Sequence, residues 1–108
     1  MPIYPEFKGR VAAVTGGAQG IGAVTARAFA KQGAAVAVLD IDGAGAKKIA
    51  DTITADGGRA IAVHVDVTDE LSVARAIESV ASGLGGFDIL INCAGGYGRL
   101  ATIEDMPI

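Results

Sequence analysis

The chain has 108 residues, 51% of them hydrophobic and 19% charged, with a formal net charge of −3. That length holds one domain, and that balance excludes a disordered chain. Nine scattered basic residues exclude the clustered Lys/Arg footprint of a nucleic-acid binder, and one His with one Cys excludes a metal site of ordinary ligand spacing.

The opening segment, MPIYPEFKGR, carries two prolines and an acidic residue where a leader would have a charged start and an apolar stretch. No leader is therefore expected, and no membrane partner either, because the longest apolar run, 34–39, is far too short to cross a bilayer. Cys93 stands alone and cannot make an internal disulfide, so the expected compartment is the reducing cytoplasm.

In chain order, a first short apolar run, VAAVT from Val11, leads into the turn Thr15-Gly16-Gly17-Ala18-Gln19-Gly20-Ile21-Gly22. A helix follows over 20–32, with Ile21, Val24, Ala28 and Phe29 as its apolar positions and Gly33 as its stop. The run AVAVLD then ends on Asp40, with Ile41 next. A second helix over 44–56 carries Ala46, Ile49, Ala50 and Ile53 on one stripe and ends at Gly57-Gly58. The third run, AIAVHV from Ala60, is followed by Asp66-Val67. A third helix over 69–82 is capped by Thr68 or Asp69, shows Ala74, Ile77, Val80 and Ala81, and stops at Gly83. The fourth run, FDILIN from Phe87, closes on Asn92-Cys93-Ala94-Gly95.

Near-continuous apolar runs suit parallel strands buried on both faces. Strict alternation with helices gives an α/β domain: a Rossmann-type parallel sheet flanked by helices, incomplete at four strands. Right-handed crossovers set the expected order 3-2-1-4. Ligands of such sheets bind beyond the carboxyl ends of the strands at the switch point, here the loops after Thr15, Asp40, Val65 and Asn92.

The glycine turn supplies the first chemistry. Gly16 lets the chain leave the strand sharply, Gly20 clears a path for a pyrophosphate to the backbone, and Gly22 lets the helix pack closely. The free N–H groups and dipole at the helix start then face the phosphates. Asp40 lies about twenty residues downstream, where a carboxylate accepts from ribose hydroxyls. The same charge repels a 2′-phosphate, so the expected cofactor is NAD and not NADP. Asp40 is otherwise only a turn cap, and Asp42 is placed to fill either part.

The TGGAQGIG turn, spaced G-x-x-x-G-x-G, resembles the cofactor fingerprint of the short-chain dehydrogenase/reductase family. Two further segments are similar to that family in order and position. Asp66-Val67 stands where the family has an acidic residue that contacts adenine. Asn92-Cys93-Ala94-Gly95 stands where it has Asn-Asn-Ala-Gly, with Cys93 in place of the second Asn. The resemblance implies cofactor contacts at Gly16, Gln19, Gly20, Ile21, Gly22, Asp40, Ile41, Asp66, Val67, Asn92, Ala94 and Gly95. It also implies hydride transfer between NAD(H) and a small secondary alcohol or carbonyl substrate. Family members that use NADP often carry a basic residue just before the second glycine of the turn, where this chain has Gln19. A related branch acting on sugar nucleotides uses G-x-x-G-x-x-G, which Gly16, Gly20 and Gly22 do not fit.

The resemblance also locates what this stretch lacks. The family's catalytic Asn, Ser, Tyr and Lys fall after Ile108, so the chain by itself is expected to be inactive. A non-catalytic nucleotide-binding half-domain and an inactive fragment stay open as alternatives. Tyr4 and Lys8 reproduce the family's Y-x-x-x-K spacing before the first strand, beside Pro5 and Gly9, where no long helix can place them on one face. His64 reads as structural or partly exposed, Cys93 as a small buried residue, and Glu104 and Asp105 as solvated. Tyr97 and Arg99 are candidates to border a substrate crevice. Finally, Ile89, Leu90 and Ile91 are expected to form an open apolar edge prone to self-association.

Overall fold

The computed structural model describes residues 7–93 and 99–102, the last four by their backbone alone. Its elements alternate as β1 (Val11–Thr15), α1 (Gly20–Lys31), β2 (Ala35–Asp40), α2 (Gly43–Ala55), β3 (Arg59–His64), α3 (Glu70–Leu84), β4 (Ile89–Asn92) and β5 (Arg99–Thr102). The sheet order is β3-β2-β1-β4-β5. The four expected strands are parallel and stand in the expected order.

The fifth strand corrects the reading of β4 as an open edge. Arg99–Thr102 pairs antiparallel with β4, Asn92 opposite Arg99 and Ile89 opposite Thr102. An unpaired row of N–H and C=O groups accepts any extended segment that returns to it, and strand alternation gives no warning of an antiparallel return.

β1 and β2 occupy the middle of the sheet, and their runs of Val, Ala and Leu are buried almost throughout. Alternate side chains sort onto two faces. Val14, Val36, Val38 and Ile91 pack with Ala26 of α1 and Ala46, Ala50 and Ile53 of α2. Val11, Ala13, Ala35, Ala37 and Leu39 pack with Ala76, Val80 and Leu84 of α3. Val14, Val36, Val38 and Val80 are the largest fully buried side chains, and burying each contributes about 1.5–3 kcal/mol. β3 departs from the expectation of burial on both faces. It lies at the sheet edge, so its residues are only half-buried and both its ends are exposed.

Two helix faces also differ from the hydrophobic pattern. In α1 the buried residues are Gly22, Ala23 and Ala26, while Ile21 and Val24 are exposed. The helix comes so close to the sheet beside the glycine turn that only small residues fit beneath it. In α3 the inward stripe is Ala76, Val80 and Leu84; Ala74 and Ala81 face solvent and Ile77 is exposed. That helix ends at Gly85, with φ of 80°, not at Gly83, which lies inside it above Ile61. Asp69 is its N-cap, accepting from the Leu71 N–H.

Aspartate 88 holds the other end of β1. Its carboxylate accepts from the Val11 N–H at 2.8 Å while its own N–H donates to the Val11 carbonyl. These two bonds fix β4 against β1 and so set the level at which both strands end.

Candidate functional site

Register brings the candidate segments to one rim. Thr15 lies opposite Leu39 on one side and Asn92 on the other, and Asp40 lies opposite His64. The carboxyl ends of β1, β2, β3 and β4 are therefore level, and the glycine turn rises between them.

The turn is seated on the end of β2 by two consecutive amides. The Gly17 N–H donates to the Leu39 carbonyl at 3.1 Å, and the Ala18 N–H donates to Asp40 Oδ2 at 3.0 Å. Gly17 is a glycine for contact: a Cβ there would stand 2.8 Å from Val38 Cγ1. Gly16 and Gly20 are glycines for conformation, with φ of 66° and 61°. Around Gly20 nothing lies within 4 Å of where a side chain would project, so open space sits directly over the start of α1. Gly22 is needed for a different neighbour from the sheet that its spacing suggests. A Cβ there would run into the Gly16 carbonyl, so the first turn of α1 folds back on the glycine turn itself.

The start of α1 is built differently from the other two helices. Asp42 caps α2 and accepts from the Gly45 N–H, and Asp69 caps α3. Gln19 at the N-cap of α1 makes no side-chain cap bond, and the first turn has no acidic residue. Helix geometry leaves the first N–H groups without intrahelical partners, and the helix dipole makes that end electropositive. Gln19 and Gly20 are exposed there, and Ile21 is 64% exposed. These groups suit an anion.

Beside the turn, Asp40 also accepts from the Asp42 N–H at 3.0 Å through Oδ1, so both of its oxygens are fixed by backbone donors. Asp42 is thereby assigned to capping and Asp40 to the rim. Ile41 is 66% exposed and Val67 is 47% exposed at the ends of neighbouring strands. Asp66 is held by Thr68, whose hydroxyl and N–H both donate to Asp66 Oδ1, and the Asp66 N–H donates to Ser72 Oγ. Those bonds, the hydroxyl first, keep the Asp66 carboxyl below the ordinary carboxylate value; partial desolvation opposes them and the nearby His64 assists.

On the far side of the turn, the buried Thr15 hydroxyl donates to Asn92 Oδ1 at 2.7 Å and orients that amide at the end of β4. The Cys93 N–H donates to the Thr15 carbonyl, and the Cys93 thiol is free and buried. Ala94, Gly95, Tyr97, Glu104, Asp105 and Tyr4 lie outside the described residues, as does the side chain of Arg99. Lys8 is exposed on the approach to β1. His64 is exposed with its ring against Gly43 at the start of α2. Sequence reasoning passed over Thr15, Gly17, Thr68, Ser72 and Asp88 as positioning residues. For Thr15 and Asp88, a hydroxyl or carboxylate beside a strand end was the available signal, because such groups reach neighbouring backbone.

The sequence matches the short chain dehydrogenase family over residues 10–107. This chain belongs to the short chain dehydrogenase family. It is 47% identical over 102 residues to a cis-4-hydroxycyclohexanecarboxylate dehydrogenase of Sinomonas cyclohexanicum, covering 94% of this chain and 41% of that protein. It is 42% identical over 103 residues to a D-threitol dehydrogenase of Mycolicibacterium smegmatis, covering 95% of this chain and 39% of that one. Among solved structures, a 7α-hydroxysteroid dehydrogenase complexed with NADH and 7-oxo glycochenodeoxycholic acid superposes with a TM-score of 0.76 at 38% identity. That match covers 78% of this chain and 33% of the other. This dehydrogenase-family chain thus spans about two fifths of the length of these curated relatives. Among its described residues no helix is long and apolar enough to cross a membrane, and no three His, Cys, Asp or Glu residues group as metal ligands.

Proposed function

We propose that the chain forms the NAD-binding portion of a short chain dehydrogenase acting on a small secondary alcohol or carbonyl compound. The single observation that carries this is the start of α1: uncapped, free of acidic side chains, and open at Gly20 beside the fixed carboxylate of Asp40. Bound NAD supplies the hydride acceptor, and its reduced form the donor. The chain's own residues do the holding. The amides of Gly20, Ile21 and Gly22 meet the pyrophosphate, with Gly16 shaping the turn and Gln19 beside it. Asp40 accepts from the adenosine ribose, Ile41 and Val67 flank the adenine, and Asp66 meets its edge. Asn92 borders the nicotinamide side.

NAD is favoured over NADP because Asp40 places a negative charge where a 2′-phosphate would lie, and Gln19 provides no compensating positive one. Acid-base chemistry at the substrate oxygen is assigned to residues beyond this stretch of the family, so the chain alone binds without turnover. A cytoplasmic location belongs to the same proposal, since a buried free thiol such as Cys93 suits a reducing compartment.

Thermal melting in the presence of each cofactor tests the reading. A ligand that binds only the folded state raises the melting temperature. NADH is expected to raise it at concentrations where NADPH does not, and a panel of secondary alcohols with NAD is expected to give no reduction. Equal shifts from the two cofactors would remove the assignment to Asp40, and alcohol oxidation by this chain would overturn the division of labour.

A further inference from the structure

We infer that Asp40 is a positioning residue for the phosphate-binding turn as well as a ribose ligand, a latch between the two halves of the site. The inference rests on the NAD reading above and deepens it. Ionised carboxylates offer roughly four lone-pair sites. Two are taken inside the protein: Oδ2 accepts from the Ala18 N–H in the glycine turn, and Oδ1 from the Asp42 N–H at the start of α2. The remaining lone pairs are available to ribose hydroxyls.

Three neighbouring contacts converge on the same seat. The Gly17 N–H is bonded to the Leu39 carbonyl, and Val38 lies directly beneath Gly17. The Ala18 methyl faces Gly45 in the first turn of α2, so the glycine turn rests between β2 and α2. Asp40 is the one side chain among the described residues with a hydrogen bond to that turn's backbone between Gly16 and Gly22. Removing its carboxylate therefore leaves the Ala18 N–H to water and loosens the loop that presents the pyrophosphate donors. A change at Asp40 made to admit NADP would then weaken the grip on phosphates common to both cofactors.

The test separates the latch from ribose contact and from charge by using 2′,3′-dideoxy-ADP, which has a diphosphate and no ribose hydroxyls, alongside ADP. On charge alone, D40A should bind dideoxy-ADP as well as the parent chain does, or more tightly, because a repelling carboxylate has gone. The latch predicts the opposite sign: affinity for dideoxy-ADP falls about threefold to tenfold, the worth of an ordinary hydrogen bond. Hydrogen exchange at the Ala18 amide should become about tenfold faster or more, while the β2 amides keep their protection. D40N keeps the side-chain shape and one acceptor, carries the test should D40A fail to fold, and is expected to lose less dideoxy-ADP affinity than D40A. Dideoxy-ADP affinity unchanged or raised, or an Ala18 amide that exchanges as in the parent, overturns the latch. Failure of the parent chain to bind ADP overturns the nucleotide reading and the latch's part in binding, while the exchange result still reads whether Asp40 holds the turn.

Discussion

Gly20 and Gly22 stand two residues apart and answer to different constraints, which gives them separable phenotypes. Gly20 needs its positive φ and has open space around it, whereas Gly22 has the Gly16 carbonyl where a side chain would go. Gly20→Ala should therefore cost only about 1–2 kcal/mol of stability, from the left-handed backbone, yet abolish most NADH affinity by filling the phosphate path. Gly22→Ala should cost about 1–3 kcal/mol through overpacking and lose binding because the turn itself shifts. Chemical denaturation alongside NADH titration distinguishes the two. Asp66 makes a second prediction, about acid. Its folded pKa is depressed below the unfolded value of 3.8, so its contribution to stability is present above that value and fades as pH falls toward the folded one. The stability difference between the parent and Asp66→Asn should be greatest near neutrality and shrink below about pH 4; a difference that grows in acid would contradict the Thr68 hydrogen bonds as its cause.

Among the elements, the start of α1 differs from the starts of α2 and α3 in lacking a side-chain cap. Asp42 and Asp69 cap their helices, and replacing either with Ala should cost about 1 kcal/mol, read by denaturant midpoint. Gln19→Asp should do the reverse in α1, adding about 0.5–1 kcal/mol by capping bare amides, while lowering NADH affinity through a carboxylate set against the pyrophosphate. Loss of stability together with unchanged affinity would sink the view that this terminus is kept open for an anion. The strands β1 and β2 were legible in the sequence to the residue, because a buried parallel strand can be little other than an unbroken run of Val, Ala and Leu. The inward faces of α1 and α3 were less legible. Large residues drew attention to Ile21, Val24 and Ile77, whereas close packing on the sheet selected Ala23, Ala26 and Ala76, and the glycine turn selected Gly22. Hydrophobic periodicity weighs size, and a tight helix-sheet contact selects against it.

At the scale of the whole molecule, the common placement of the glycine turn, Asp40, Asp66 and Asn92 was readable because parallel topology carries the ends of successive strands to one rim. In the sequence alone, Thr15 reads only as part of the turn and Asp88 only as part of a strand. Their roles depend on the register between β1 and β4, which residues more than seventy positions apart in the chain do not reveal. The antiparallel β5 was hidden for the same reason, since pairing with β4 is decided by the geometry of the return and not by composition. Whether this rim holds NAD is decided by a titration of the full chain with NADH, followed by the cofactor's own fluorescence, with NADPH in parallel. The expected result is a saturable rise with NADH and affinity for NADPH lower by about tenfold or more, the discrimination expected of one well-placed repulsive charge. No saturable signal with either cofactor would contradict it.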